Sequence, residues 1–245
     1  MSSTTSQTSW FITGTSRGIG LELVRQLVQF PSNLVVAACR RPGKATALAD
    51  LTKTAKGTLH IIKIDVNDFD DVRTLPKQLD PILGEIGLDY LVNNAATTVW
   101  DSAFTLDPET LLDILRTNTA APALVSQVVL PFLEKGRTKK IVHVSSYGGS
   151  IASVSSDRMQ EKYRKVTSYS MSKTTLNMLA YKQKVERPDL IVIAMCPGWV
   201  KTDMGGMDAA LEPEESVSGV IKLITSVTSA DSGKFLSYNG DEIPW

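Results

Sequence analysis

The amino-acid sequence predicts a single α/β domain, a doubly wound parallel sheet of about seven strands with helices on both faces. Three observations carry that prediction. Short β-rich runs alternate with longer stretches of helical periodicity along the chain. The runs are nearly continuous in apolar residues, as a sheet without a solvent face requires. No internal repeat and no Pro-, Gly- or Ser-rich linker divides the 245 residues, and a chain of that length buries most of its surface in one unit.

Met1 to Ser9 reads as a flexible polar tail and residues 10–245 as the domain. The strand runs are Trp10 to Thr13, Leu34 to Cys39, Leu59 to Ile64, Tyr90 to Asn93, Ile141 to Ser145, Leu190 to Cys196 and Phe235 to Tyr238. Helical periodicity falls at Gly18 to Val28, Ala45 to Thr54, Phe69 to Leu83, Pro108 to Leu133, Tyr169 to Val185 and Glu214 to Val227. Asp107 is placed to cap the fourth of these, with Pro108 at the first helical position, where its missing N–H costs nothing. The least regular stretch, Tyr147 to Ser168, is polar and charged and reads as a solvated loop with a short helix.

Lys plus Arg equals Asp plus Glu at 26 each, so no net field gathers nucleic acid or an anionic membrane surface. The first nine residues lack the basic and apolar regions of a secretory signal, and no apolar run has a membrane helix's length of roughly 18 residues. The expectation is a cytoplasmic protein. Cys39 and Cys196 each end an apolar run, which fits reduced core thiols better than a disulfide framework. His60 and His143 have no metal-ligand spacing, and no metal is expected.

Directly after the first strand stands Thr13-Gly14-Thr15-Ser16-Arg17-Gly18-Ile19-Gly20, followed by an apolar-periodic helix. In that context Gly14 permits a tight turn, Gly18 lets the backbone approach a pyrophosphate, and Gly20 lets the helix pack closely; the helix N-terminus offers free N–H donors. This is the phosphate-binding turn of a Rossmann-type fold. The alternative is a plain strand-to-helix turn. About 20 residues beyond the glycines, the position beside an adenosine ribose reads Cys39-Arg40-Arg41, with no carboxylate for an NAD ribose. With Arg17, these guanidinium groups suit a 2′-phosphate, although a solvated basic pair would look the same.

Tyr169 and Lys173, four apart, share a helix face. An ammonium beside a phenol favours phenolate, so the spacing predicts a Tyr169 pKa below its reference of about 10. Ser145-Ser146 closes the fifth strand, where a hydroxyl reaches the crevice at the carboxyl edge of the sheet. With these residues in this order, the sequence resembles the short-chain dehydrogenase/reductase family from Trp10 to Trp245. The matching residues are the glycine turn, Asp65-Val66, Asn93-Asn94-Ala95, Asn118, Ser146, Tyr169, Lys173, Pro197-Gly198 and Thr202.

The resemblance implies a role for each. Tyr169 donates the proton to a carbonyl oxygen, Ser146 hydrogen-bonds that oxygen, Lys173 binds the nicotinamide ribose and lowers the Tyr pKa, and Asn118 holds a water of the proton relay. Gly14, Ser16, Arg17, Gly18, Ile19 and Gly20 hold the pyrophosphate end, with Arg40 and Arg41 beyond. Asp65 faces the adenine amino group and Val66 gives its backbone contact; Asn93 and Ala95 line the adenosine ribose, and Pro197, Gly198, Val200 and Thr202 cradle the carboxamide. Two features depart from the family pattern. Ala96 replaces the usual glycine, and Tyr169 follows Ser146 by 23 residues, so an insertion loops out near the substrate mouth.

Pro197 to Gly206 and the ending from Gly233 to Trp245 look like the sniffer and C-factor branch of carbonyl reductases. That resemblance implies NADPH/NADP+ as cofactor and a small-molecule ketone, quinone or aldehyde as substrate. The pocket would involve Thr97, Trp100, Tyr147, Trp199 and Met204 beside Ser146, with core packing as the alternative for the Trp and Met residues. A monomer is favoured, because the charged insertion from Ser155 to Lys165 lies where it would cover the helix surface that many relatives use to assemble. The competing functions are a silent NADPH-binding sensor and an alcohol dehydrogenase working oxidatively.

Overall fold

Strands that are apolar on both faces must be covered on both, and the chain supplies that cover by following strands with helices. The computed structural model describes residues 7–154 and 165–245. Among the described residues the strands are β1 (Thr8–Thr13), β2 (Asn33–Cys39), β3 (Thr58–Lys63), β4 (Tyr90–Asn93), β5 (Lys140–Val144), β6 (Ile191–Cys196) and β7 (Phe235–Ser237). All pair in parallel, in the order β3-β2-β1-β4-β5-β6-β7. The helices are α1 (Gly18–Leu27), α2 (Thr46–Thr54), α3 (Phe69–Arg73), α4 (Leu75–Leu83), α5 (Pro108–Leu115), α6 (Ala121–Lys135), α7 (Thr167–Glu186) and α8 (Pro213–Ser226). The doubly wound architecture agrees with the sequence reading.

Two apolar clusters sandwich the sheet. On one face Leu23, Val24 and Leu27 of α1, Leu48 and Leu51 of α2, and Val217, Val220 and Ile224 of α8 pack on alternate strand residues such as Ile12, Val35 and Val92. On the other, Leu75, Leu79 and Leu83 of α4 and Val125, Val129 and Phe132 of α6 cover Phe11, Val36 and Leu91. Truncating any one of these side chains to Ala typically costs about 2–5 kcal/mol. No helix among the described residues is long and apolar enough to cross a membrane. Both cysteines are free and buried.

Local chemistry shifts several boundaries. β1 begins at Thr8 because Ser9 is anchored, its Oγ donating to Gly87 O at 2.9 Å and its N–H to Asp89 Oδ2 at 3.1 Å; Thr8 and Ser9 therefore belong to the sheet rather than to a polar tail. β3 is a half-exposed edge strand, not a fully buried one. The single helix expected from Phe69 to Leu83 divides at Thr74, where Pro76 in the first turn of α4 has no N–H to continue α3. Asp107 caps α5 as expected, its Oδ2 accepting from Thr110 N at 2.9 Å. The long helix after it is interrupted by one π-helical turn, Arg116–Ala120. Pro122, lacking an N–H, cannot close the α-helical bond onto the Asn118 carbonyl four residues back, so the sequence itself forces the irregular turn there.

α7 turns Met171, Met178, Tyr181 and Val185 outward. Residues 155–164, nearly all of the insertion expected to cover this region, lie outside the described residues.

Candidate active site

The strand order reverses between β1 and β4, and ligands of open α/β sheets bind beyond the carboxyl ends of the strands at such a switch point. The glycine turn sits there. Gly14 adopts φ +72° against Ala95, whose Cα would lie 2.7 Å from any added Cβ, so this position tolerates no side chain. Gly18, at φ +57°, opens α1 and faces Thr202 from the loop after β6. The turn is clamped from below. Asn94 Nδ2 donates to Thr13 O at 2.9 Å and to Gly14 O at 3.1 Å, while Thr15 Oγ1 donates to Ala38 O at 3.1 Å.

Ser16 and Arg17 stand exposed at the tip, Ile19 is half-buried and Gly20 buried. Arg40, Arg41 and Asp65 line one open cavity of about 500 Å3 beyond the end of β2. Arg17 is not among its lining residues; its guanidinium pairs with Asp203 at 3.4 Å. Val66 is buried just past β3. Asn93 has a buried side chain, its Nδ2 donating to Ser126 Oγ at 3.2 Å and lying 3.4 Å from His143 Nδ1. The backbone N–H groups of Asn94 and Ala95 both donate to Thr13 Oγ1 at 3.1 Å. Pro197 and Val200 are buried and Gly198 and Thr202 half-buried along the loop after β6, with Pro197 O accepting from Ser216 Oγ at 2.6 Å.

The residues expected to carry the reaction meet beyond β5. Ser146 is extended (φ −161°, ψ 151°), and its Oγ accepts from Gly148 N at 3.1 Å. Tyr169 and Lys173 lie on one face of α7, with Lys173 Nζ 5.5 Å from the Tyr169 ring centroid. Nζ donates to Val144 O at 2.7 Å, which ties α7 to the end of β5. Burial depresses the Lys173 ammonium to about 8, countered by Cys196. Burial raises the Tyr169 phenol well above its ordinary value, with the Ser146 hydroxyl pulling the other way. This reverses the expected depression, because the cost of desolvating a phenolate here outweighs every favourable contact.

Asn118 sits in the π-turn with no exposed surface. Its Oδ1 accepts from Thr97 N at 2.9 Å, and its Nδ2 donates to Thr97 O at 2.8 Å and Ser172 Oγ at 2.9 Å. Both amide hydrogens are thus committed to protein, and the side chain clamps the loop after β4 to α7. Among the expected pocket residues, Tyr147 packs its ring on the core, and Trp199 is fixed by its indole N–H donating to Gly205 O at 2.7 Å. Trp100 and Met204 stand out in solvent on the loops after β4 and β6, 63% and 44% exposed.

The family model for short chain dehydrogenases matches residues 9–212. The chain belongs to the short-chain dehydrogenase family. A solved carbonyl reductase from chicken fatty liver, with NADPH bound, is 31% identical with a TM-score of 0.89, covering 98% of this chain and 100% of that one. Carbonyl reductase Sniffer of D. melanogaster is 30% identical with a TM-score of 0.88, over 98% of this chain and 100% of that chain. The short chain dehydrogenase gsfK of Penicillium aethiopicum is 32% identical over 253 residues, 96% of this chain and 98% of its own.

This short-chain dehydrogenase holds its site with residues that motif reading passed over. Asn177, one turn beyond Lys173, accepts from Ser145 Oγ at 2.6 Å and donates to Gly149 O at 3.1 Å, pinning the serine loop to α7. Asp101 accepts from Ser168 N at 3.1 Å and from the Ser168 hydroxyl, fixing the start of α7 just before Tyr169. The spacing of Asn177 from Lys173, one turn along the same helix face, was a readable signal. Asp101 had none, being 67 residues away in sequence.

Proposed function

We propose that the protein is an NADPH-dependent carbonyl reductase that reduces the ketone, aldehyde or quinone carbonyl of a small molecule, with Tyr169 as proton donor. The observation that carries this reading is the convergence of the Tyr169 phenol, the Lys173 ammonium on the same face of α7 and the Ser146 hydroxyl at the carboxyl edge of the sheet. Carbonyl reduction consumes a proton, and the Tyr169 hydroxyl beside Ser146 is the acidic group placed to supply it. The side-chain-free turn at Gly14 and the cations at Arg40 and Arg41 fit a phosphorylated dinucleotide. The chicken and D. melanogaster relatives are both named carbonyl reductases.

When bound, NADPH supplies the hydride that adds to the carbonyl carbon. Tyr169 Oη gives its proton to the carbonyl oxygen as negative charge develops there, and the Ser146 hydroxyl donates a hydrogen bond to the same oxygen. Lys173, held by Val144 O, keeps a buried ammonium 5.5 Å from the centre of the phenol ring and would also bind the nicotinamide ribose. Asn118 serves the relay through its backbone carbonyl, which Pro122 leaves without its helical donor. The test is a panel of quinones, aromatic aldehydes and ketoesters followed by NADPH absorbance. Turnover of at least one class is the expected result; tight NADPH binding with no turnover anywhere would make the protein a sensor.

A further inference from the structure

We propose that Lys63 is a third cation of the 2′-phosphate site and sets the preference for the phosphorylated cofactor together with Arg40 and Arg41. The inference deepens the NADPH reading and rests on it. Lys63 ends β3 and pairs in register with Cys39, the residue immediately before Arg40. Its exposed side chain lines the same 500 Å3 cavity as both arginines. A volume of that size lies within the range of small-ligand sites, about 300–1,000 Å3.

Charge pairing distinguishes the basic from the acidic residues that line this cavity. Among the described residues, none of Arg40, Arg41 and Lys63 has an acidic partner. The acids of the same lining are already engaged. Asp65 Oδ1 accepts from Asn67 N at 3.0 Å, Asp68 Oδ1 caps α3, Asp71 Oδ2 accepts from Asp65 N at 2.7 Å, and Asp70 pairs with Arg73 at 2.8 Å. Four carboxylates repel a dianion, so a phosphate entering the cavity would be held by the three cations of the lining that have no acidic partner. Lys63 is the ammonium that β3 contributes to this lining, and the two guanidinium groups follow its register partner Cys39 at the end of β2. Arg17, the remaining basic residue of the glycine turn, already has Asp203.

Calorimetric titration of 2′,5′-ADP and 5′-ADP into the wild-type protein, Lys63→Gln and Lys63→Arg tests the assignment without turnover. Lys63→Gln should bind 2′,5′-ADP at least about tenfold more weakly, the scale of one hydrogen bond to a charged group, and 5′-ADP as before. Lys63→Arg should keep most of the affinity. Unchanged 2′,5′-ADP binding by Lys63→Gln overturns the proposal, as does an equal loss for both nucleotides, which would mark a structural role. A wild-type protein that does not distinguish the two ligands removes the phosphate site altogether, and the NADPH reading fails with it.

Discussion

The Arg17 guanidinium lies 3.4 Å from the Asp203 carboxylate, so the turn after β1 and the loop after β6 are joined across the cofactor crevice. Both side chains are about three-quarters exposed, at 74% and 77%. Such pairs contribute about 0–1 kcal/mol and weaken with salt. Because this cation is matched by an acid of its own chain, Arg17→Ala and Asp203→Asn should each weaken NADPH and NADH alike, by less than about fivefold. Arg40→Ala should instead act on NADPH alone. Dissociation constants for both cofactors decide it, and a selective loss of NADPH affinity in Arg17→Ala would return Arg17 to the phosphate.

Asn118 offers a second test, since one buried amide bonds both backbone groups of Thr97 and the Ser172 hydroxyl. Asn118→Ala strands these partners and should cost about 2–4 kcal/mol. In a chain of this size that corresponds to a Tm lower by roughly 5–15 °C. Asn118→Asp should fail similarly, because a carboxylate oxygen then faces the Thr97 carbonyl. A thermal midpoint unchanged in both variants would show that the clamp contributes nothing to the fold.

His143 gives the fold a pH dependence of known sign. Burial lowers its imidazole from 6.5 to about 4, despite the hydrogen bond to Gln183. Between those values the unfolded chain binds a proton that the folded chain does not, so stability rises with pH across the window and is lost as pH falls from 6.5 toward 4. The full effect is about 3 kcal/mol. Denaturant unfolding of wild type and His143→Gln over this range should show a shallower decline in the variant. Parallel declines would place the acid sensitivity elsewhere.

Periodicity and apolar runs made the sheet and its helices legible, since each strand is covered on both faces and leaves a continuous apolar signature. β3 was misjudged because an edge strand carries the same β-rich composition with only one neighbour. The site was readable where a local spacing encodes it, as with Gly14 and Gly18 or Tyr169 and Lys173. It was not readable where function depends on a distant partner. The ion pair of Arg17 with Asp203, the Asp101 cap on α7 and the core network holding Asn93 all join segments far apart in sequence. The reversed direction of the Tyr169 shift has the same origin, for spacing reports the nearby ammonium and says nothing of how deeply the phenol is buried.

The catalytic assignment stands or falls on Tyr169. Tyr169→Phe removes only the acidic hydroxyl, leaving a ring that packs as before, so NADPH affinity should hold while turnover drops by about 10²- to 10⁴-fold, the usual worth of general acid catalysis. Ser146→Ala should lower kcat chiefly, because the lost donor serves the developing oxyanion, and it should also release the Gly148 N–H from its cap. Lys173→Ala should lower turnover and cofactor affinity together if the ammonium serves the ribose as proposed, and it also removes the bond that secures α7 to Val144. The wild-type rate should fall as pH rises through about 8, where the depressed ammonium loses its proton, whereas the raised phenol remains protonated over that range. Steady-state rates beside NADPH dissociation constants for the three variants separate these effects. If Tyr169→Phe kept more than about a tenth of wild-type turnover, a loss far too small for a general acid, the proton would have to come from another group, and Ser146 or a solvent molecule on the Asn118 carbonyl would be the next donor to test.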